Sequence, residues 1–148
     1  MTLEAVLAAL HLLAILTLVV FLTSQAALCR SEWMNAAVVE RLARLDILYG
    51  VAAVLVLLSG LARLYWGVKG PGWYVSQPLF HLKMTLFVVM GLLSIWPTLV
   101  FRRWRKALRA GGSLPAPEQV AKVRRAVMVQ SHLLPVVAVI AVFWARGW

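Results

Sequence analysis

Apolar positions run unbroken for long distances along this chain. No charged residue stands between Glu4 and Arg30, between Lys83 and Arg102, or between Arg125 and Arg146. A further stretch, Ile47 to Ala62, is bounded by Asp46 and Arg63, which can sit at its ends. A helix rising about 1.5 Å per residue needs roughly 20 apolar residues to cross about 30 Å of hydrocarbon. The four stretches predict an all-α, polytopic membrane protein: a four-transmembrane-helix bundle forming a single domain over residues 1–148. Its helices are expected over about residues 3–27, 45–66, 78–101 and 118–145. A transmembrane barrel needs alternation of apolar and polar residues, whereas Leu55-Val56-Leu57-Leu58 and Val136-Val137-Ala138-Val139-Ile140 are continuous.

Within these spans the polar positions are patterned. Glu4, His11, Leu18 and Gln25 recur every seven residues, which puts three polar groups on one stripe of the first helix. Polar groups are costly against lipid, so this stripe is expected to face the bundle interior. Asp46, Ala53 and Gly60 share a register on the second helix, and Tyr49, Val56 and Arg63 share the neighbouring one. Small residues allow close approach, so that face is expected to pack. Ser31 to Arg44 reads as a polar connector, and Gly67 to Gln77 as a short loop with an aromatic anchor in Trp73-Tyr74. Pro78 suits the first turn of a helix. Pro97 and Pro135 are expected to bend their helices, and Gly111-Gly112-Ser113-Leu114-Pro115 marks a turn.

Composition agrees with the pattern: 63% of residues are hydrophobic and mean hydropathy is +0.87. The net charge of +10 is unevenly placed. Eight of the 15 basic residues lie between Arg102 and Arg125, and Arg30, Arg41 and Arg44 fall on the same side. Only Arg63, Lys69, Lys83 and Arg146 remain for the other. Basic residues collect in cytoplasmic loops, so both termini and the middle loop are expected to face outward. The charge thus reports orientation and attraction to anionic membrane lipids, and no nucleic-acid partner is expected. The single cysteine, Cys29, excludes an intrachain disulfide. Met1 to Ala5 carries no basic residue, so the first run is read as a permanent helix and not a cleaved signal.

Imidazole ligates haem iron, copper and zinc, which singles out His11, His81 and His132. Helical rise puts His11 roughly 12 Å below the outer boundary, His81 within about 5 Å of it, and His132 roughly 9 Å from the inner one. Each can equally serve as a hydrogen-bond partner for a neighbouring helix. Lys83, about one turn inside the third helix, needs a carboxylate such as Glu4, an anionic ligand, or a route to water. With Arg63 and Lys69 it places several cations on one surface, which suits propionate groups. Asp46 is expected to pair with Arg102, Arg103 or Arg125, with a proton relay through Tyr49 towards His132 as a weaker reading. Phosphate-cradling loops, paired-carboxylate motifs and zinc-protease motifs are absent from the sequence, so hydrolase and NTPase readings have no support.

The strings Ala9-Leu10-His11-Leu12-Leu13, Arg44-Leu45-Asp46-Ile47-Leu48-Tyr49-Gly50, Ser59-Gly60-Leu61-Ala62-Arg63, Gln77-Pro78-Leu79-Phe80-His81-Leu82-Lys83 and Leu92-Leu93-Ser94-Ile95-Trp96-Pro97-Thr98 carry a resemblance. Together they resemble an uncharacterised family of small bacterial predicted membrane proteins, over nearly the whole chain. His11 and His81-Leu82-Lys83 are more distantly similar to the HemJ-type membrane-bound protoporphyrinogen oxidases. Those are four-helix proteins with a histidine early in the first helix and a lysine opening the third. Their late Asn-Glu-x-Pro motif is not reproduced: Ser131-His132-Leu133-Leu134-Pro135 keeps only the proline.

Two readings follow. In the first, His11 ligates the metal of haem b or a related tetrapyrrole in the outer half of the bundle. Lys83 and Arg63 hold carboxylates, His81 is an auxiliary group and His132 an alternative ligand. Carrier and redox enzyme fit that pattern alike. In the second, the polar residues knit the helices of a scaffold, partner subunit or small permeation unit without cofactor, self-associating through faces such as Ala53 and Gly60.

Overall fold

The computed structural model describes residues 2–67 and 70–145. These form four long helices, α1 (Leu3–Leu28), α2 (Ala36–Trp66), α4 (Pro78–Arg109) and α5 (Pro117–Ala145), with a short α3 (Gly70–Val75) between α2 and α4. Each long helix is long and apolar enough to cross a membrane. No more than 22% of the most apolar window of any of them is buried inside the protein. Side chains such as Leu13, Val20, Val54, Leu58, Leu92 and Val139 stand exposed. In water that surface would be untenable; in a bilayer it is the solvent contact, and the helices satisfy their own backbone groups. The chain is therefore an all-helical, four-span membrane protein.

The helices outrun their apolar spans. The second helix starts at Ala36, not near residue 45, because Asn35 caps it: its side-chain oxygen accepts from the Val38 N–H at 2.9 Å. The residues read as a polar connector are amphipathic, with Val38, Val39 and Leu42 buried and Arg41 and Arg44 exposed. α4 likewise passes residue 101 to reach Arg109, with Phe101 and Trp104 turned inward. It stops where Gly111 takes a φ of 79°, which lets the Gly112 N–H reach the Ala107 carbonyl at 2.9 Å. The two extensions meet through a forked Arg109–Glu40 ion pair at 2.8 and 3.1 Å.

α1 packs against α2 and α5, and α4 against α2 and α5, closing a ring of four. Packing is tightest toward the arginine-rich end, where Leu22, Val39, Leu42, Phe101, Val120 and Val123 are almost fully enclosed. Toward the α3 end it loosens: α4 has no fully buried side chain before Met90. That loosening leaves room between α2 and α4. The stripe on α1 faces inward from His11 through Leu18 to Gln25, while Glu4 is exposed. Lys69 and Arg146, assigned to the sparsely charged end, lie outside the described residues.

Candidate functional site

His11 is held by α2. Its ring lies against Gly60, where an added Cβ would stand 3.3 Å from His11 Cε1. A side chain there would press on the ring by a few tenths of an ångström, so Gly60 eases the approach of α1 and α2 at this depth and is used inside the bundle. One residue earlier, the Ser59 hydroxyl sits 2.8 Å from His11 Nδ1 and donates its own proton to the Leu55 carbonyl at 2.6 Å. With the hydroxyl proton assigned to that carbonyl, His11 Nδ1–H is the donor of the pair. In the neutral ring this leaves the lone pair on Nε2.

That ring forms one wall of a pocket between α2 and α4 whose lining includes Arg63, Tyr74, Lys83, Met84 and Phe87. Arg63 and Lys83 are partly buried and lie close enough for their charges to act on each other and on His11. Leu57 and Leu61 form an exposed apolar rim, so the pocket opens sideways, toward lipid. Three of the sequence-derived residues, His11, Arg63 and Lys83, thus share one cavity. The other two do not line it. His81 is exposed and donates through Nε2 to the Val75 carbonyl at 2.8 Å, closing the α3–α4 corner. His132 is exposed on α5, with Nδ1 2.7 Å from the Met128 carbonyl one turn back. It does not approach His11 as a second ligand, because it lies on the outer face of its helix.

A second polar group occupies the other half. Asp46 is buried, and its partner is Thr98 Oγ1 at 2.9 Å, not an arginine ion pair. The expected arginine contact fails because α4 presents its hydroxyl one turn before Arg102, which remains exposed nearby. The Gln25 amide stands beside Asp46, and Tyr49 donates to Gln130 at 3.2 Å. α1, α2 and α5 each contribute a buried polar side chain to this interior and α4 the partly buried Thr98; the sequence singled out Asp46, Tyr49 and, in the α1 stripe, Gln25, but not Thr98 or Gln130. The missed groups had a weak signal, a lone hydroxyl or amide inside an apolar run. The Tyr49 bond runs to Gln130, not toward His132.

Cys29, just beyond α1, is buried and its thiol is pushed up to about 11 by burial, so it stays protonated and unreactive at neutral pH. No group of three or more His, Cys, Asp or Glu that could hold a metal occurs among the described residues. A haem iron could find His11 Nε2, with the Met84 thioether in the same pocket. The space, however, is about 80 Å³, against roughly 300–1,000 Å³ for a drug-sized ligand site. That space beside His11 is smaller than a porphyrin ring needs and nearer the size of a compact head group.

Residues 3–148 match the model of a family described as "Predicted membrane protein (DUF2214)", and the chain belongs to that family. Comparison with curated proteins gives no match, and comparison with solved structures gives none.

Proposed function

We propose that this DUF2214 membrane protein binds a carboxylate-headed amphiphile taken from the leaflet at its α3 end. The observation that carries the reading is the convergence of Arg63, Lys83 and His11 on one small pocket that opens to lipid between α2 and α4. Arginine and lysine give charge-assisted hydrogen bonds to a carboxylate, and these strengthen away from water. The volume of about 80 Å³ suits a compact anionic head group. The tail would leave past Leu57, Leu61 and Phe87 into hydrocarbon. The reading is one of binding, without a chemical step.

The charge asymmetry supports an orientation with the arginine-rich end in the cytosol and the termini on the opposite side, and family resemblance supports a bacterial inner membrane. Haem b would be a special case of the same chemistry, its propionates meeting Arg63 and Lys83, and would require α2 and α4 to separate.

The test is tryptophan quenching of the purified full chain by a 2-bromo fatty acid, compared with a bromoalkyl trimethylammonium of equal length. Trp66 and Trp73 lie at the pocket's end of the molecule. Saturable quenching by the carboxylate alone, removed by Trp66→Phe with Trp73→Phe, is the expected result. Equal quenching by both head groups would refute it. A Soret band on haem addition, lost in His11→Ala, would replace the reading with the tetrapyrrole one.

A further inference from the structure

At the opposite end, a pocket of about 440 Å³ lies between the turn after α1 and the first three turns of α5. Three guanidinium groups border it, those of Arg30, Arg124 and Arg125. Arg124 is half-buried, and its Nε is enclosed without a hydrogen-bond partner. A guanidinium held partly out of water binds the oxygens of an anion more strongly than a fully solvated one. Arg30 is held at the rim by stacking over Trp33, 5.0 Å from the ring centroid. The floor is apolar, with Val120 buried and Met128 partly so.

We infer that this pocket binds the phosphate of an anionic phospholipid in the leaflet on the arginine-rich side. The charge sets the ligand's sign: three cations stand against Glu32, the one acidic side chain in the lining among the described residues. Arginine forks match phosphate oxygens. A lipid, and not free phosphate, is favoured because the pocket sits where polar and apolar surfaces meet. Trp33 stands exposed as an interfacial anchor, and Val129, next to Met128, begins the lipid-facing surface of α5. Lipid phosphate lies at that depth, and its chains can run down α5 beside Met128. This site shares no residue with the pocket of Arg63 and Lys83, so either can fail alone.

The test is native mass spectrometry of the delipidated full-length protein titrated with phosphatidylglycerol, phosphatidylcholine and inorganic phosphate. It is run in the wild type and in Arg63→Gln with Lys83→Gln, so that adducts at the other end are not counted. A preference of about tenfold for phosphatidylglycerol over phosphatidylcholine is expected in both. Arg124→Gln, and separately Arg30→Gln, should each weaken it about fivefold. Glu32→Gln should strengthen it, and Arg103→Gln, outside the pocket, should leave it unchanged. If Arg124→Gln fails to fold, the exposed Arg30 and Arg125 carry the comparison. Equal binding of the two lipids, an Arg103→Gln loss matching that of Arg30→Gln, or displacement of the lipid by millimolar inorganic phosphate would each overturn the proposal.

Discussion

Replacing Arg63 and Lys83 together with glutamine is expected to weaken fatty-acid binding at the α3 end about a hundredfold, with little change in stability. The magnitude follows from two charge-assisted hydrogen bonds at about 1.5 kcal/mol each, the low end of the range because both side chains are only partly buried. Glutamine keeps much of the side-chain volume and a hydrogen-bonding amide, so packing against Tyr74 and Phe87 is disturbed least. Each single replacement should lose about tenfold. Saturation quenching measures all three variants. A double variant that binds within threefold of wild type would show that the cations act only as interfacial anchors.

Phe101→Ala is expected to cost about 3–5 kcal/mol, the largest stability loss of any single truncation proposed for this protein. Phe101 is fully enclosed and meets Trp104 edge to face at 5.7 Å between ring centroids. Its removal leaves a cavity where α4 is packed most tightly, and the four-helix ring there cannot easily collapse to fill it. Phe87→Ala, on the same helix but half-buried at the pocket, should cost less than about half as much. Unfolding in mixed micelles by graded addition of a denaturing detergent gives both values. A Phe101→Ala loss below about 1 kcal/mol would mean that the arginine-rich end does not hold the bundle together.

The contrast between the two phenylalanines reflects what a sequence does and does not reveal here. The four spans are legible because lipid forbids charges over about 20 residues, a rule that acts locally and needs no knowledge of neighbours. Helix ends are harder. Beyond the hydrocarbon α2 continues on an amphipathic pattern, with Val39 and Leu42 inward and Arg41 outward, and mean hydropathy there looks like a loop. Only the Asn35 cap marks the true start, and an asparagine is a common loop residue as well.

The candidate site divides along similar lines. His11, Arg63 and Lys83 are readable as one group because helical rise puts them near a common depth. Ser59 is not, since a serine bonded back to the carbonyl four residues earlier looks like an ordinary residue of the helix interior. Which face a histidine takes is a tertiary fact: His132 had a depth but no azimuth until α5 was packed on α1 and α4. The same holds for Asp46, whose sequence neighbourhood is rich in arginine while its bonded partner is Thr98 from α4.

The central claim is that a carboxylate amphiphile seats its head between α2 and α4. Photolabelling addresses it most directly, using a fatty acid with a diazirine beside its carboxyl group and the full chain reconstituted in bilayers. The account predicts labels confined to His11, Tyr74 and residues 56–64 and 80–87, suppressed by excess unlabelled fatty acid and lost in the Arg63→Gln, Lys83→Gln double variant. Labels spread along the lipid-exposed faces of α1 and α5, and indifferent to competitor, would contradict it.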